Sequence, residues 1–164
     1  MNKGEKVMDE NVNTIINYIG DMLNRDSIND EEKLWMESHI KDHEKPYNLL
    51  KKLKTSDIHL ISIINLKGPI SVKKLPKLSK MSQPTVSRTI KRFAENDILN
   101  RYYKVQNSKE TVVALTITGK IIAMAHVDLE KQIYKNLDNI LSSYPKRDVD
   151  TFIEILNKIK NLRV

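Results

Sequence analysis

The chain's 164 residues, 40% apolar and 5% aromatic, suit one domain, or one domain with an interaction arm, built on a helical core. It has no cysteine, which excludes disulfides, thiolate metal sites and thiol redox sensing. No apolar run approaches a bilayer span, and MNKGEKVMDENV lacks a signal-peptide core, so a cytoplasmic protein without a membrane partner is expected. The formal charge of +7 is segregated: residues 51–109 hold 14 Lys/Arg against 3 Asp/Glu, whereas residues 1–50 hold 6 against 11. That basic middle block reads as a polyanion-binding module between structural arms. RNA or a membrane surface would satisfy the same charge.

Val12, Ile15, Ile16, Ile19, Met22 and Leu23 recur at helical spacing and predict an amphipathic helix over 9–24. A second helix starts near Glu31, carries Leu34, Trp35 and Ile40, and is expected to kink or break at Pro46 before Leu49–Leu53. Thr55 or Ser56 caps an apolar helix, Ile58–Leu66, which Lys67-Gly68-Pro69 terminates. Ser71 is a candidate cap for a short helix with Val72, Leu75 and Leu78 inward. Pro76 within it should kink or shorten it.

Next comes the most informative stretch, TVSRTIKRF at Thr85–Phe93, capped by Ser82 with Pro84 in the first turn. Val86, Ile90 and Phe93 line one side, while Thr85, Arg88, Thr89 and Arg92 are expected to point elsewhere. Guanidinium groups can fork onto guanine or clamp phosphate, and hydroxyls can serve either base or backbone. The period then changes. Arg101–Gln106 and Thr111–Thr116 are β-prone runs joined by Asn107–Glu110, which predicts a hairpin. Thr116 or Thr118 caps a long helix in which Ile122, Ala125, Leu129, Ile133, Leu137, Ile140 and Tyr144 step by three or four. Pro145 ends it, and a last helix over 147–162 aligns Val149, Phe152, Ile153, Leu156 and Ile159.

Helix, short helix, basic helix and hairpin make a winged helix-turn-helix. The expected fold is mainly α with a small β-hairpin wing, plus helical dimerisation arms from both termini. The division is 1–53 for the N-terminal arm, 54–118 for the winged domain and 119–164 for the C-terminal helices. The flanking apolar stripes exceed what so small a domain can cover, and a twofold homodimer is the commonest solution.

LKTSDIHLISII, ISVKKLPKLSKMSQPTVSRTIKRFAENDIL and VVALTITGK resemble the MarR family of transcriptional regulators from Leu53 to Lys120. The flanking helices stand in the order of its dimerisation region, over roughly residues 9–162. The resemblance implies a DNA-binding homodimer, usually a repressor, released by a small effector. This chain departs from the family at Asp97, where a glycine often closes the recognition helix. It departs again at Asn107 and Lys109, where the wing typically reads Asp-x-Arg, and lysine loses the planar fork. The arm before Lys54 is longer than usual.

On this reading Ser82, Gln83, Thr85, Ser87, Arg88 and Arg92 face the major groove or its flanking phosphates. Lys73, Lys74, Lys91, Arg101, Lys104 and Lys109 neutralise backbone phosphates. His126 and Glu130, four apart, share a helix face and could reach one cation. By resemblance to the family's zinc-sensing branch, where a histidine matches Glu130, the set is His59, His126, Glu130 and one residue of the arm cluster His39, Asp42, His43 and Glu44, with His43 the candidate. It would take zinc or another divalent ion as effector. The alternative effector is a small hydrophobic molecule in a cleft lined by Leu49, Leu50, Leu53, Ile58 and Ile61. No glycine-rich phosphate loop or catalytic Ser or carboxylate pair is recognisable, so an enzyme is not expected. The competing class is a winged-helix module that contacts protein or RNA.

Overall fold

The computed structural model describes residues 3–28, 31–104 and 107–162, with side chains described except at 3–9, 23–28, 104 and 107–109. Helix α1 runs Lys3–Ile28 and outlasts the predicted 9–24 at both ends. Its apolar residues Val12, Ile15, Ile16, Tyr18 and Met22 are exposed. The expected second helix is two, α2 Glu31–His39 and α3 Glu44–Leu50. The break falls before Pro46, at a turn where the His43 N–H donates to the Ile40 carbonyl at 2.9 Å. Pro46 sits in the first turn of α3, where its missing N–H is not needed.

Helix α4 is Thr55–Lys67 with Lys54, rather than Thr55 or Ser56, at the N-cap position. The Asp57 carboxylate reaches back to accept the Lys54 N–H at 2.9 Å, satisfying a donor the helix cannot. Gly68, at φ 67°, ends α4 in a conformation that suits glycine. Strand β1, Ile70–Ser71, was not foreseen: it makes the expected hairpin a three-stranded sheet. The Ser71 side chain makes no cap bond. A 3-10 turn over Val72–Lys74 leads into α5, Leu75–Ser79, only five residues long with Pro76 in its first turn. Of the three residues expected inward, Leu75 is fully buried and Val72 half-buried, but Leu78 is 42% exposed.

Helix α6 is Gln83–Glu95, with Ser82 as N-cap accepting the Thr85 N–H at 3.4 Å. Val86, Ile90 and Phe93 are buried, as the spacing predicts. Thr89 is buried too, against expectation, because it stands beside Ile90 and one turn before Phe93. Asp97 then takes φ 56°, a left-handed conformation that aspartate tolerates better than most residues. Strands β2 Leu99–Lys104 and β3 Asn107–Leu115 pair antiparallel, with Leu99 opposite Leu115 and Arg101 opposite Val113; β1 joins β3 on the other edge. Residues 107–110, expected as the connection, belong to β3. Gln106 lies outside the described residues.

Thr116 caps α7, Ile117–Leu141, by accepting the Gly119 N–H at 3.1 Å. Helix α8 is Lys146–Lys160. The core runs unbroken from Met36 on α2 to Leu129 on α7, with Leu50, Leu60, Ile61, Phe93 and Ile98 fully buried. α7 is its spine, with α2, α3 and α4 packed on it. Among the described residues, neither α1 nor α8 packs broadly on any other element. Gly119 is where α7 meets the sheet: a Cβ there would lie 2.1 Å from the Ile98 carbonyl oxygen. Gly119→Ala should therefore lower the unfolding free energy by about 1–3 kcal/mol, read as a lower urea midpoint at unchanged slope. A loss below about 0.5 kcal/mol would show that the joint is not close-packed.

Candidate nucleic-acid interface

Three apolar side chains and Thr89 anchor α6, so its other face is presented outward. Gln83, Ser87, Arg88 and Lys91 are exposed on it, as is Ser82 at its head. The Ser82 and Thr85 hydroxyls lie 2.7 Å apart, and the Thr85 N–H also points at Ser82. These two are tied into the cap, which fixes where the helix begins. The Arg88 Nε donates to the Pro84 carbonyl at 3.4 Å, a long bond that leaves the guanidinium available. Lys91 stands 3.9 Å from Glu95, an exposed pair of little energetic weight.

Arg92 differs. Its Nη2 donates to the Asp57 carboxylate at 2.5 Å, and that carboxylate is 3% exposed while the arginine keeps 44%. It shares the outward side with Arg88, but a buried acid on α4 holds it. Around α6, Lys73, Lys74 and Arg101 are exposed, and so are Lys77 and Lys80 beside the turn from α5. Sequence reasoning passed over these last two although they lie in the same charge-rich segment. The side chains of Lys104 and Lys109 lie outside the described residues.

The metal set is not assembled. His126 points at α4, where its Nδ1 is 3.1 Å from the Ser62 hydroxyl and 3.6 Å from the Glu130 carboxylate. Its ring meets that of His59 edge-on at 5.7 Å. His43 instead precedes α3 and lines a separate open cleft of about 300 Å³ with His39, Ile40, Ile117, Lys120, Met124 and Asp128. At about 100° per residue, His126 is turned roughly 200° from both Met124 and Asp128, so the two groups occupy different sides of α7. Among the described residues no three His, Asp or Glu side chains gather as a metal would require. As placed, His126 lies beside His59 and Glu130 while His43 stands apart, so the four do not form one ligand set. The proposed apolar cleft is corrected as well: Leu50, Leu53, Ile58 and Ile61 are buried core, and Leu49 packs against it.

Residues 53–111 match the MarR family model. The chain carries a MarR-family domain. The MarR family is one of DNA-binding transcription regulators and not of enzymes. No curated protein matches the chain. Solved structures share the MarR fold. The adhesin competence repressor AdcR of Streptococcus pyogenes is 17% identical at a TM-score of 0.57, covering 98% of this chain and 97% of its own. FabT of Streptococcus pneumoniae, solved in complex with DNA, is 13% identical at 0.61, over 95% and 94%. ZitR of Lactococcus lactis, a zinc-responsive family member, is 12% identical at 0.58, over 66% and 77%. Among the described residues, no helix is long and apolar enough to cross a membrane.

The histidine between α4 and α7 has a thermodynamic consequence. Burial lowers the His126 pKa below its ordinary 6.5; the charge of His59 adds to this, against the pull of Glu130 and Glu32. The unfolded chain then binds the proton more readily, so this contribution to stability is whole above about pH 6.5 and is lost as pH falls through it. His126→Gln, which keeps a partner for Ser62, should flatten the fall in melting temperature between about pH 7.5 and 5.5. Identical falls in variant and parent would show that this imidazole does not set the acid sensitivity.

Proposed function

We propose that this chain is a homodimeric, sequence-specific repressor of the MarR type that reads an inverted repeat with one α6 per protomer and is released by a small effector. The observation that carries the reading is the outward face of α6. Gln83, Ser87 and Arg88 stand exposed on a helix whose other side is locked into the core. The first turns of such a helix are the part that meets base edges, and Arg88 offers the guanidinium fork for guanine. Lys73, Lys74, Lys91 and Arg101, all exposed, supply backbone contacts beside it. Lys104 and Lys109 on the wing strands join that proposed set by sequence position.

Pairing of two copies is supported by the uncovered helices. Ile15, Ile16 and Met22 on α1, Ile133, Leu137 and Ile140 on α7, and Phe152, Ile153 and Leu156 on α8 are all exposed. Each such side chain contributes about 1.5–3 kcal/mol if buried, more than a monomer would leave in water. The arms 1–53 and 119–164 are accordingly proposed as the dimerisation region around the winged unit 54–118. A small-molecule effector is supported by the cleft beside α7.

A mobility-shift titration on DNA upstream of the chain's own gene tests the reading. With about four phosphates neutralised per protomer, log K against log salt should slope near −7 for the dimer, at about −0.9 per phosphate. Arg88→Ala should cost about 1–3 kcal/mol per half-site and relax base preference. A slope shallower than about −2 with no preference for inverted-repeat DNA would overturn the reading in favour of a module that contacts protein or RNA.

A further inference from the structure

Arg92 and Asp57 are 35 positions apart and meet between the recognition helix and the head of α4. Asp57 has two duties. One carboxylate oxygen accepts the Lys54 N–H at 2.9 Å and the other accepts Arg92 Nη2 at 2.5 Å. A buried carboxylate with both oxygens engaged is rigidly held, and a charge-assisted bond to it is short and directional. The guanidinium also lies over the Phe93 ring, 5.7 Å from its centroid, and Phe93 is itself fully buried. Nη2 is thus fixed from two sides. Nε and Nη1 make no other hydrogen bond among the described residues, and 44% of the side chain remains in solvent.

We propose that Asp57 is a positioning residue for DNA binding: it holds Arg92 as a preset phosphate clamp that grips the backbone and reads no base. This rests on the DNA-binding function proposed above and names a part of its machinery. Three observations argue for phosphate rather than base. Arg92 lies in the last turn of α6, whereas base edges are met chiefly by the first turns of a recognition helix. Its tether runs away from α6 toward α4, so the guanidinium cannot extend into a groove without leaving the buried Asp57 carboxylate unpaired. A guanidinium with one nitrogen on a carboxylate still has donors on its other edges, enough to engage a phosphate oxygen. The gain is preorganisation, because an arginine already held in one rotamer loses less entropy on binding.

Charge alone predicts the opposite of positioning, which makes the idea testable. Asp57→Asn removes a negative charge near the duplex while its amide oxygen can still accept the Lys54 N–H. Simple electrostatics then expects tighter DNA binding. Positioning expects binding to weaken by about threefold to tenfold, the scale of one ordinary net hydrogen bond. Binding of the dimer to the preferred inverted repeat and to unrelated DNA would be titrated over a range of salt, well below each variant's melting temperature.

Arg92→Ala should weaken both DNAs equally, with base preference intact and a salt slope smaller by about two for the dimer. Adding Asp57→Asn to Arg92→Ala should cost nothing further, since the two act as one unit. The double variant also removes both halves of the buried pair, so its fold does not carry an orphaned charge. Arg92→Lys, at a half-exposed site, tests geometry apart from charge; it should lose several-fold affinity at nearly unchanged slope. The proposal is overturned if folded Asp57→Asn binds as tightly as the parent, if the two losses multiply, or if Arg92→Ala alters base preference. A parent protein that retains no DNA overturns both this and the function it rests on.

Discussion

The Ile98 carbonyl is the point through which the helix that faces outward is joined to the helix that spans the molecule. It accepts the Thr116 N–H and the Thr116 hydroxyl, each at 3.1 Å. Gly119 is the residue that lets α7 come close enough for this. On the other side, the Ile98 N–H donates to the Phe93 carbonyl at 2.9 Å, at the end of α6. A displacement of α6 along its axis must therefore strain either this chain of bonds or the packing of Phe93. Asp97, held left-handed next door, completes the corner: its carbonyl accepts from Thr116 and its carboxylate from Lys45 and Thr118. That Lys45 contact holds the Asp97 pKa below the usual carboxylate value. Three elements remote in sequence, α3, the end of α6 and the start of α7, converge there.

That corner explains why the basic face is presented as it is. α6 offers Gln83, Ser87 and Arg88 outward because Val86, Thr89, Ile90 and Phe93 occupy the inward positions. The core that receives them is continuous with the arm, reaching Met36 on α2 and Leu129 on α7. Outside this core the molecule changes character. α1, α8 and the distal half of α7 leave their apolar stripes in water. A stripe of that kind usually marks a surface that another element covers, and the second copy proposed above would cover it here.

Much of this was legible in the sequence, and what was not has a common cause. Strong periodicity located α6 and α7, and hydroxyl caps fixed their starts, because Ser82 and Thr116 bond to backbone three residues on. Such signals are local. The corrections arise where a distant partner decides. Thr89 reads as polar on a helical wheel, yet the packing of α6 buries it. Arg92 reads as a cation for the groove or its flanking phosphates, and nothing local shows that Asp57 on another helix holds it. Nothing in the spacing of Asp57 announces either of its bonds, since Lys54 is not a capping residue type. β1 is two residues long and exists only through pairing with β3. His43 and His126 are both plausible ligands by type, and only the helix rotation of α7 shows that they belong to different surfaces.

The account depends on two chains sharing the helices that one chain leaves uncovered. Sedimentation equilibrium of the protein alone, at micromolar concentration and moderate salt, tests this directly. A 19.1 kDa chain should sediment at twice its mass, and replacing Leu156 and Phe152 by aspartate should reduce that mass to the monomer's. A parent protein that stays monomeric under those conditions, with its apolar helices still folded, would contradict the account.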